Sequence, residues 1–207
     1  MRQPLIVIID YEVGNTFSVQ NALRNLSYKN VLVSRDFEHI DKADYLILPG
    51  VGAFNKCAEN LRRFELEPIL NKNVLEKKKP ILGICVGMQL MSNYSYENGF
   101  HEGLGWIPGH VEKVQPVESL FRVPHVGWNE VSFEKNYLKF RKENYVSDFY
   151  FDHSYHFICH KKYIAGKCNY SMEISSFVNK ENIYGVQFHP EKSSYNGLRF
   201  FRAFLSI

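Results

Sequence analysis

The segment Pro80-Ile81-Leu82-Gly83-Ile84-Cys85-Val86-Gly87-Met88-Gln89 limits the possible folds more than any other part of the chain. An apolar run ends at a cysteine with a glycine two residues away on either side, and an apolar helical segment follows. A strand that turns sharply into a helix leaves no room for Cβ atoms at the turn, so glycine is required there. The pattern therefore predicts an elbow that lifts Cys85 out of the end of a sheet and sets it at a helix N-terminus, a position suited to a nucleophile. A buried structural cysteine is the alternative, and the paired glycines weigh against it.

An elbow of this kind needs a parallel sheet around it, and the first half of the chain alternates accordingly. Leu5 to Asp10 is a continuous apolar run, as expected of a parallel strand buried on both faces. Asn15 is suited to cap a helix whose Val19, Ala22, Leu23 and Leu26 share one face. Val31 to Val33, Tyr45 to Leu48 and Ile81 to Ile84 read as further strands. Leu61, Leu66, Ile69 and Leu70 read as helical packing interrupted at Pro68. This alternation predicts an α/β fold, a mostly parallel sheet with helices on both faces.

From His110 to Phe177 aromatic and β-branched runs dominate: Val111 to Val114, Val131 to Phe133, Phe149 to Phe157 and Ile164 to Asn169. They predict an antiparallel β extension beside the main sheet. Ile183 to Phe188 returns to the core, and Leu198, Phe201 and Leu205 mark a final helix. No linker, repeat or low-complexity stretch intervenes, so residues 1–207 read as one domain.

Two further segments supply partners for the cysteine. Ile183 to Phe188 delivers His189, and Glu191 follows two residues later. Cysteine as nucleophile, histidine as base and glutamate as orienter of the imidazole is the triad logic in thiol form. Pro190 breaks the ladder between them, so the chain turns and both side chains reach one site. The run Tyr45 to Leu48 ends in Pro49-Gly50-Val51-Gly52, where glycines let the backbone present N–H groups at close range. An oxyanion hole is built of such donors.

Taken together these motifs resemble the class I (triad) glutamine amidotransferases, and among them the glutaminase subunits of imidazole glycerol phosphate synthase. The likeness spans nearly the whole chain. It is carried by Ile9-Asp10-Tyr11 with Gly14-Asn15, Leu48 to Phe54, Gly83 to Leu90, Val123-Pro124-His125-Val126-Gly127-Trp128-Asn129, His153-Ser154-Tyr155 and Gly185 to Ser193. The resemblance implies a flavodoxin-like open sheet, with Cys85, His189 and Glu191 catalytic. It implies an oxyanion hole at Val51, Gly52 and Val86, and glutamine bound by Gln89, Glu97, His153, Ser154 and Tyr155. A carboxylate at Glu97 is physically apt, because the α-ammonium of glutamine needs an anionic partner. Asn15, Trp128, Asn129, Tyr150 and Lys192 match positions that line the junction with the synthase subunit.

The partner so implied is a (β/α)8-barrel cyclase, joined as a heterodimer and fed ammonia through a sheltered channel, in histidine biosynthesis. Other readings stay open. A paralogous subunit could donate ammonia to a sugar amidotransferase in surface-glycan biosynthesis, making acetamidino sugars. A catalytically silent regulatory subunit and a cysteine peptidase are the others. The sequence departs from the family at Glu12 and at Ser194-Tyr195, on the expected docking face, which bears on the partner rather than on the triad.

Bulk properties exclude other classes. A net charge of +3 is too small for a nucleic-acid surface. The Lys77-Lys78-Lys79 run reads as a solvated cap on a helix C-terminus. The first apolar run is too short for a signal sequence or a membrane span. Four cysteines without a Cys-x-x-Cys pair fit a reducing cytoplasm. His156, Cys159, His160 and Cys168 match no usual zinc spacing, so neither metal nor cofactor is expected.

Overall fold

The computed structural model describes residues 2–118, 120–133 and 146–207. The chain begins β1 (Ile6–Ile9), α1 (Thr16–Asn25), β2 (Val31–Ser34), α2 (Phe37–Lys42), β3 (Tyr45–Gly50), α3 (Phe54–Arg63) and α4 (Leu66–Asn71). The elbow follows as β4 (Ile81–Cys85) and α5 (Val86–Gln89). Short strands β5 (Tyr94–Ser95), β6 (His101–Glu102) and β7 (Gly109–Lys113) lead to β8 (His125–Phe133), β9 (Val146–His153) and β10 (Tyr155–Cys159). The chain closes with β11 (Ile164–Asn169), β12 (Glu173–Lys180), β13 (Ile183–Val186) and α6 (Ser194–Phe204).

Among the described residues the main sheet runs β2-β1-β3-β4-β13-β12-β11-β8-β9. Its first five strands are mutually parallel, and every pairing from β13 onward is antiparallel. The predicted parallel core with an antiparallel extension is what forms. β1 and β4 are buried along their whole length, as expected of strands covered on both sides. The helices fall into two groups, α1 with α6, and α2 and α3 with α4.

Four local readings are refined. Phe149 to Phe157 is not one strand: the chain breaks at Ser154, leaving β9 in the main sheet while β10 joins a second sheet ordered β10-β7-β5-β6. Val114 N donates to the Ser154 carbonyl at 2.8 Å, so the crossover stays hydrogen-bonded to the smaller sheet. Asn15 occupies the cap position of α1, but its side chain makes no capping hydrogen bond. The helical break falls at Glu65, in the left-handed region at φ 53°, and Pro68 sits within the first turn of α4, where its missing N–H leaves no bond unmade.

The lysine run does cap a helix, but for Lys79 it is a distant one. Lys79 Nζ donates to the carbonyls of Ile40, Asp41 and Ala43 at the end of α2. Burial lowers its pKa, an effect the neighbouring Lys77 reinforces. Lys77 pairs with Asp41 at 2.5 Å and Lys78 with Glu181 at 2.9 Å.

The adjacency that positions the site follows from strand order. β3, β4 and β13 are neighbours, with Gly50 opposite Cys85 and Val186 opposite Ile84. Their carboxyl ends therefore deliver Pro49–Gly52, Cys85 and His189 to one edge, the place where open α/β sheets bind ligands.

Candidate active site

Cys85 sits at φ 54° and ψ −111°, a conformation that costs a non-glycine residue on the order of 1–3 kcal/mol and persists only where the surroundings enforce it. The enforcement is backbone against backbone. A Cβ at Gly87 would stand 1.9 Å from the Leu48 carbonyl oxygen, so α5 lies directly on the end of β3. The thiol is nearly enclosed, and Gln187 Nε2 donates to Sγ at 3.7 Å.

His189 lies close enough to this sulfur for the two to interact electrostatically, and its Nδ1 meets Glu191 Oε1 at 2.9 Å. The side chains of His189 and Glu191 are 2% and 1% exposed, so solvent screens the pair little. Burial works against a charged imidazole here. The adjacent Cys85 sulfur and the Glu191 carboxylate outweigh it and raise His189 to about 10. Such an arrangement holds a proton between a nucleophile and a leaving group while a carboxylate fixes the ring.

Ser193, buried completely, locks the histidine backbone in place. Its hydroxyl donates to the His189 carbonyl at 2.6 Å and accepts from Tyr150 N at 3.0 Å. His189 N donates in turn to the Tyr150 carbonyl at 2.8 Å. The His189–Ser193 turn is thereby stitched to β9.

A cavity of about 120 Å³ opens over the sulfur. Its wall includes Val51, Gly52, Cys85, Val86, Gln89 and Glu97 on the parallel side, and His153, Ser154, Tyr155 and His189 opposite. Every residue expected at the oxyanion hole or in glutamine binding thus borders one space. Glu97 Oε2 accepts from Phe54 N at 2.8 Å, which anchors the carboxylate; burial raises its pKa, partly offset by that bond. Gln89 is buried, and its amide nitrogen is committed to the Tyr155 carbonyl at 2.8 Å and to Gln187 Oε1 at 3.0 Å.

The residues expected at a partner junction lie outside the cavity wall. Trp128 and Tyr150 are cross-strand neighbours with ring centroids 6.3 Å apart, and Trp128 is 53% exposed. Lys192 Nζ lies 5.4 Å above the Tyr150 ring and 3.9 Å from Asp152 Oδ2. Asn15 is half-buried at the start of α1, beside Gly14, whose Cα packs close to Pro49. Asn129 turns inward: its amide donates to the Asn169 carbonyl at 3.0 Å and faces His125 at 3.3 Å. Glu12 is satisfied within this chain by Arg35 at 3.3 Å and Arg63 at 3.0 Å.

Sequence reasoning assigned no role to Gln187, Ser193 or His125. Gln187 did leave a signal, because an amide inside the apolar run Ile183 to Phe188 must find buried partners. Among the described residues no cluster of three or more His, Cys, Asp or Glu side chains is arranged to hold a metal, and no helix is long and apolar enough to cross a membrane.

An elbow nucleophile on a parallel sheet, facing a His–Glu pair delivered by the neighbouring strand, defines the class I glutamine amidotransferase arrangement. A family model described as "Glutamine amidotransferase class-I" matches residues 7–206. Solved structures share the fold: one glutamine amidotransferase aligns over 97% of this chain and 99% of its own with a TM-score of 0.74 at 19% identity. PurLQS from Thermotoga maritima aligns over 99% of each chain with a TM-score of 0.71 at 16% identity.

Sequence relatives are far nearer. The chain is 46% identical to the imidazole glycerol phosphate synthase subunit HisH 2 of Vibrio vulnificus, over 97% of this chain and 93% of the relative. It is 45% identical to subunit HisH of Listeria innocua, over 98% and 96%. It is 43% identical to HisH 2 of Methanococcus maripaludis, over 97% and 98%. The chain belongs to the class I glutamine amidotransferase family and, within it, to the HisH subunits of imidazole glycerol phosphate synthase.

Proposed function

We propose that the chain, as one amidotransferase domain over residues 1–207, hydrolyses glutamine to glutamate and passes the ammonia to a synthase subunit that makes imidazole glycerol phosphate in histidine biosynthesis. The observation that carries this reading is a strained Cys85 beside an imidazole gripped by Glu191 at 2.9 Å, in a chain 46% identical to a HisH subunit.

In this mechanism Cys85 Sγ attacks the side-chain amide carbon of glutamine. The tetrahedral oxyanion is met by backbone N–H groups of Val51, Gly52 and Val86, and losing one such donor typically costs about 10² to 10³ in rate. His189 hands its proton to the departing nitrogen, the C–N bond breaks, and a glutamyl thioester remains. Water, deprotonated by His189, then cleaves the thioester to glutamate and restores the thiol. Glu191 holds the ring throughout. Glu97 receives the α-ammonium of glutamine, and Gln89, His153, Ser154 and Tyr155 form the wall that aligns it.

Ammonia is mostly protonated in neutral water and is then no nucleophile. A docked acceptor and a sheltered route between the sites are therefore part of the function. The partner is a (β/α)8-barrel cyclase forming a heterodimer on the Trp128, Tyr150 and Lys192 face, with Asn15 and Asn129 bordering it, in the cytoplasm.

Glutamate release from glutamine by the purified chain, with and without such a cyclase and its ribulosyl nucleotide substrate, tests the reading. Stimulation by the cyclase, lost in Cys85→Ala, is expected. No stimulation, with Cys85 still labelled by an electrophilic glutamine analogue, would move the ammonia to a different acceptor such as a sugar amidotransferase.

A further inference from the structure

We infer that Asn129 and His125 are positioning residues for the glutamine pocket, acting through a hydrogen-bond chain of one fixed direction that ends at His153 and the Tyr155 carbonyl. The direction is dictated independently from both ends. At the inner end, a carbonyl only accepts, so His153 Nδ1 donates to Tyr155 O at 2.9 Å. At the outer end, Glu130 N only donates, to Asn129 Oδ1 at 2.8 Å, and Asn169 O only accepts, from Asn129 Nδ2 at 3.0 Å. The amide nitrogen of Asn129 therefore faces His125 Nε2 at 3.3 Å, which must accept.

The two requirements meet in the middle without conflict. His125 with its lone pair on Nε2 carries its hydrogen on Nδ1, which lies 3.0 Å from His153 Nε2. His153, with its hydrogen on Nδ1, offers a lone pair there. One tautomer for each ring satisfies every link, and a second proton on either ring breaks one.

The surroundings keep both rings neutral. His125 is stacked between Tyr170 at 3.9 Å and Phe151 at 4.6 Å, and burial lowers it to about 4. His153 is lowered to about 3, first by burial and then by the nearby His125, His156 and His189, against the Tyr155 carbonyl that favours its charged form. The carboxylates adjacent in sequence, Glu130 and Asp152, are exposed.

The inner end of the chain sits on the pocket wall. Tyr155 O also accepts from Gln89 at 2.8 Å, so this one carbonyl is held both by the elbow helix and by the imidazole chain. It lies where the backbone leaves the main sheet for the smaller one, a crossover with no continuous ladder of its own. The outer end lies on β8 next to the exposed Trp128. The chain thus fixes the Ser154–Tyr155 wall from the face that carries the proposed junction. What that wall holds rests on the glutaminase reading; the direction of the chain does not.

Asn129→Asp tests it by replacing the donor with an acceptor. His125 must then carry a proton on Nε2, and it keeps its link to His153 only as an imidazolium paired with the new carboxylate. The glutamine KM of Asn129→Asp is expected to rise about 10-fold from pH 6 to pH 8, the worth of one hydrogen bond, while the wild-type value stays flat. Asn129→Ala, which reverses nothing, is expected to raise KM about 3-fold with no pH dependence. Long-range ¹⁵N correlation on the histidine-labelled full chain reads the tautomers without any activity, and both His125 and His153 are expected neutral with the hydrogen on Nδ1 between pH 6 and 8.

Wild-type His125 protonated on Nε2, or an Asn129→Asp profile parallel to the wild type, overturns the inference. Should Asn129→Asp not fold, the wild-type tautomers and the flat profile of Asn129→Ala decide it. A wild-type chain that releases no glutamate beside its synthase sinks the glutaminase reading, and the tautomers then decide the chain by themselves.

Discussion

The thiol of Cys57 lies 3.6 Å from the carbonyl oxygen of Val51 and donates to it from beneath the Pro49–Gly52 turn. Tyr11, wholly buried, donates its hydroxyl to the Pro49 carbonyl two residues earlier. Since the C=O and N–H of a trans peptide point in opposite directions, fixing the Val51 carbonyl also fixes the direction of the Gly52 N–H. Burial, aided by nearby Cys85 and Glu97 and only partly offset by the neighbouring Tyr11 hydroxyl, raises Cys57 to about 12, so it stays a donor throughout the working range. Removing the sulfur in Cys57→Ala is expected to lower kcat for glutamine about 10-fold, a fraction of the loss of an oxyanion donor, with KM little changed. Steady-state glutamate release checks this, and an equal loss in kcat and gain in KM would count against the tether.

The cysteines should separate sharply under an electrophile. Burial raises Cys57 to about 12 and Cys159 and Cys168 to about 11, which leaves them as unreactive thiols. Mass spectrometry after treatment with a glutamine-like electrophile is expected to find one adduct, on Cys85, and none in Cys85→Ala. Modification of Cys57 in the folded chain at neutral pH would contradict its burial.

His189, the proposed triad base, sets an alkaline limit. His189 in the folded chain is raised from its ordinary 6.5 to about 10, so the stability its proton contributes is fully present below about 6.5 and is lost as pH rises through about 10. Glutaminase activity that depends on the protonated ring should fall along the same alkaline limb. Glu191→Gln removes one of the groups that hold the charge, and it is expected to move the limb to lower pH and reduce kcat by roughly 10²-fold. A pH–rate profile of both proteins measures the displacement, and an unmoved limb would show that Glu191 does not support the charge.

At the acid end the sign reverses. His125 and His153 are lowered to about 4 and 3, so the unfolded chain binds protons that the folded chain refuses. Their contribution to stability is complete above about 6.5 and is lost as pH falls towards those values. Urea midpoints are expected to drop between pH 6.5 and 5, above the range in which most carboxylates titrate, and a flat midpoint across that interval would be inconsistent with two neutral buried rings.

The elbow should not tolerate a single methyl group. In Gly87→Ala the new Cβ meets the Leu48 carbonyl at 1.9 Å, and backbone cannot yield there without parting β3 from α5. A loss of roughly 3 kcal/mol or more in urea unfolding is expected, comparable to severe core substitutions. A folded variant of unchanged stability would mean that the turn has more slack than the contact allows.

Short-range patterns determined a large part of this protein. Two glycines flanking Cys85 announce the elbow, and His189-Pro190-Glu191 places the proposed base and orienter two residues apart, because both features are built by local sterics of a few consecutive residues. Continuous apolar runs likewise marked the parallel strands, because burial on both faces leaves no polar side. Only the tertiary structure decided the break at Ser154, since whether Phe149 to Phe157 stays in one sheet depends on β7 being present to receive β10. It alone decided that Lys79 caps α2, that Ser193 ties His189 to Tyr150, and that Asn129 donates to the Asn169 carbonyl instead of to solvent. In each of these the hydrogen-bond partner lies on a segment remote in sequence, and a donor's direction is set by which acceptor the fold brings within 3 Å or so.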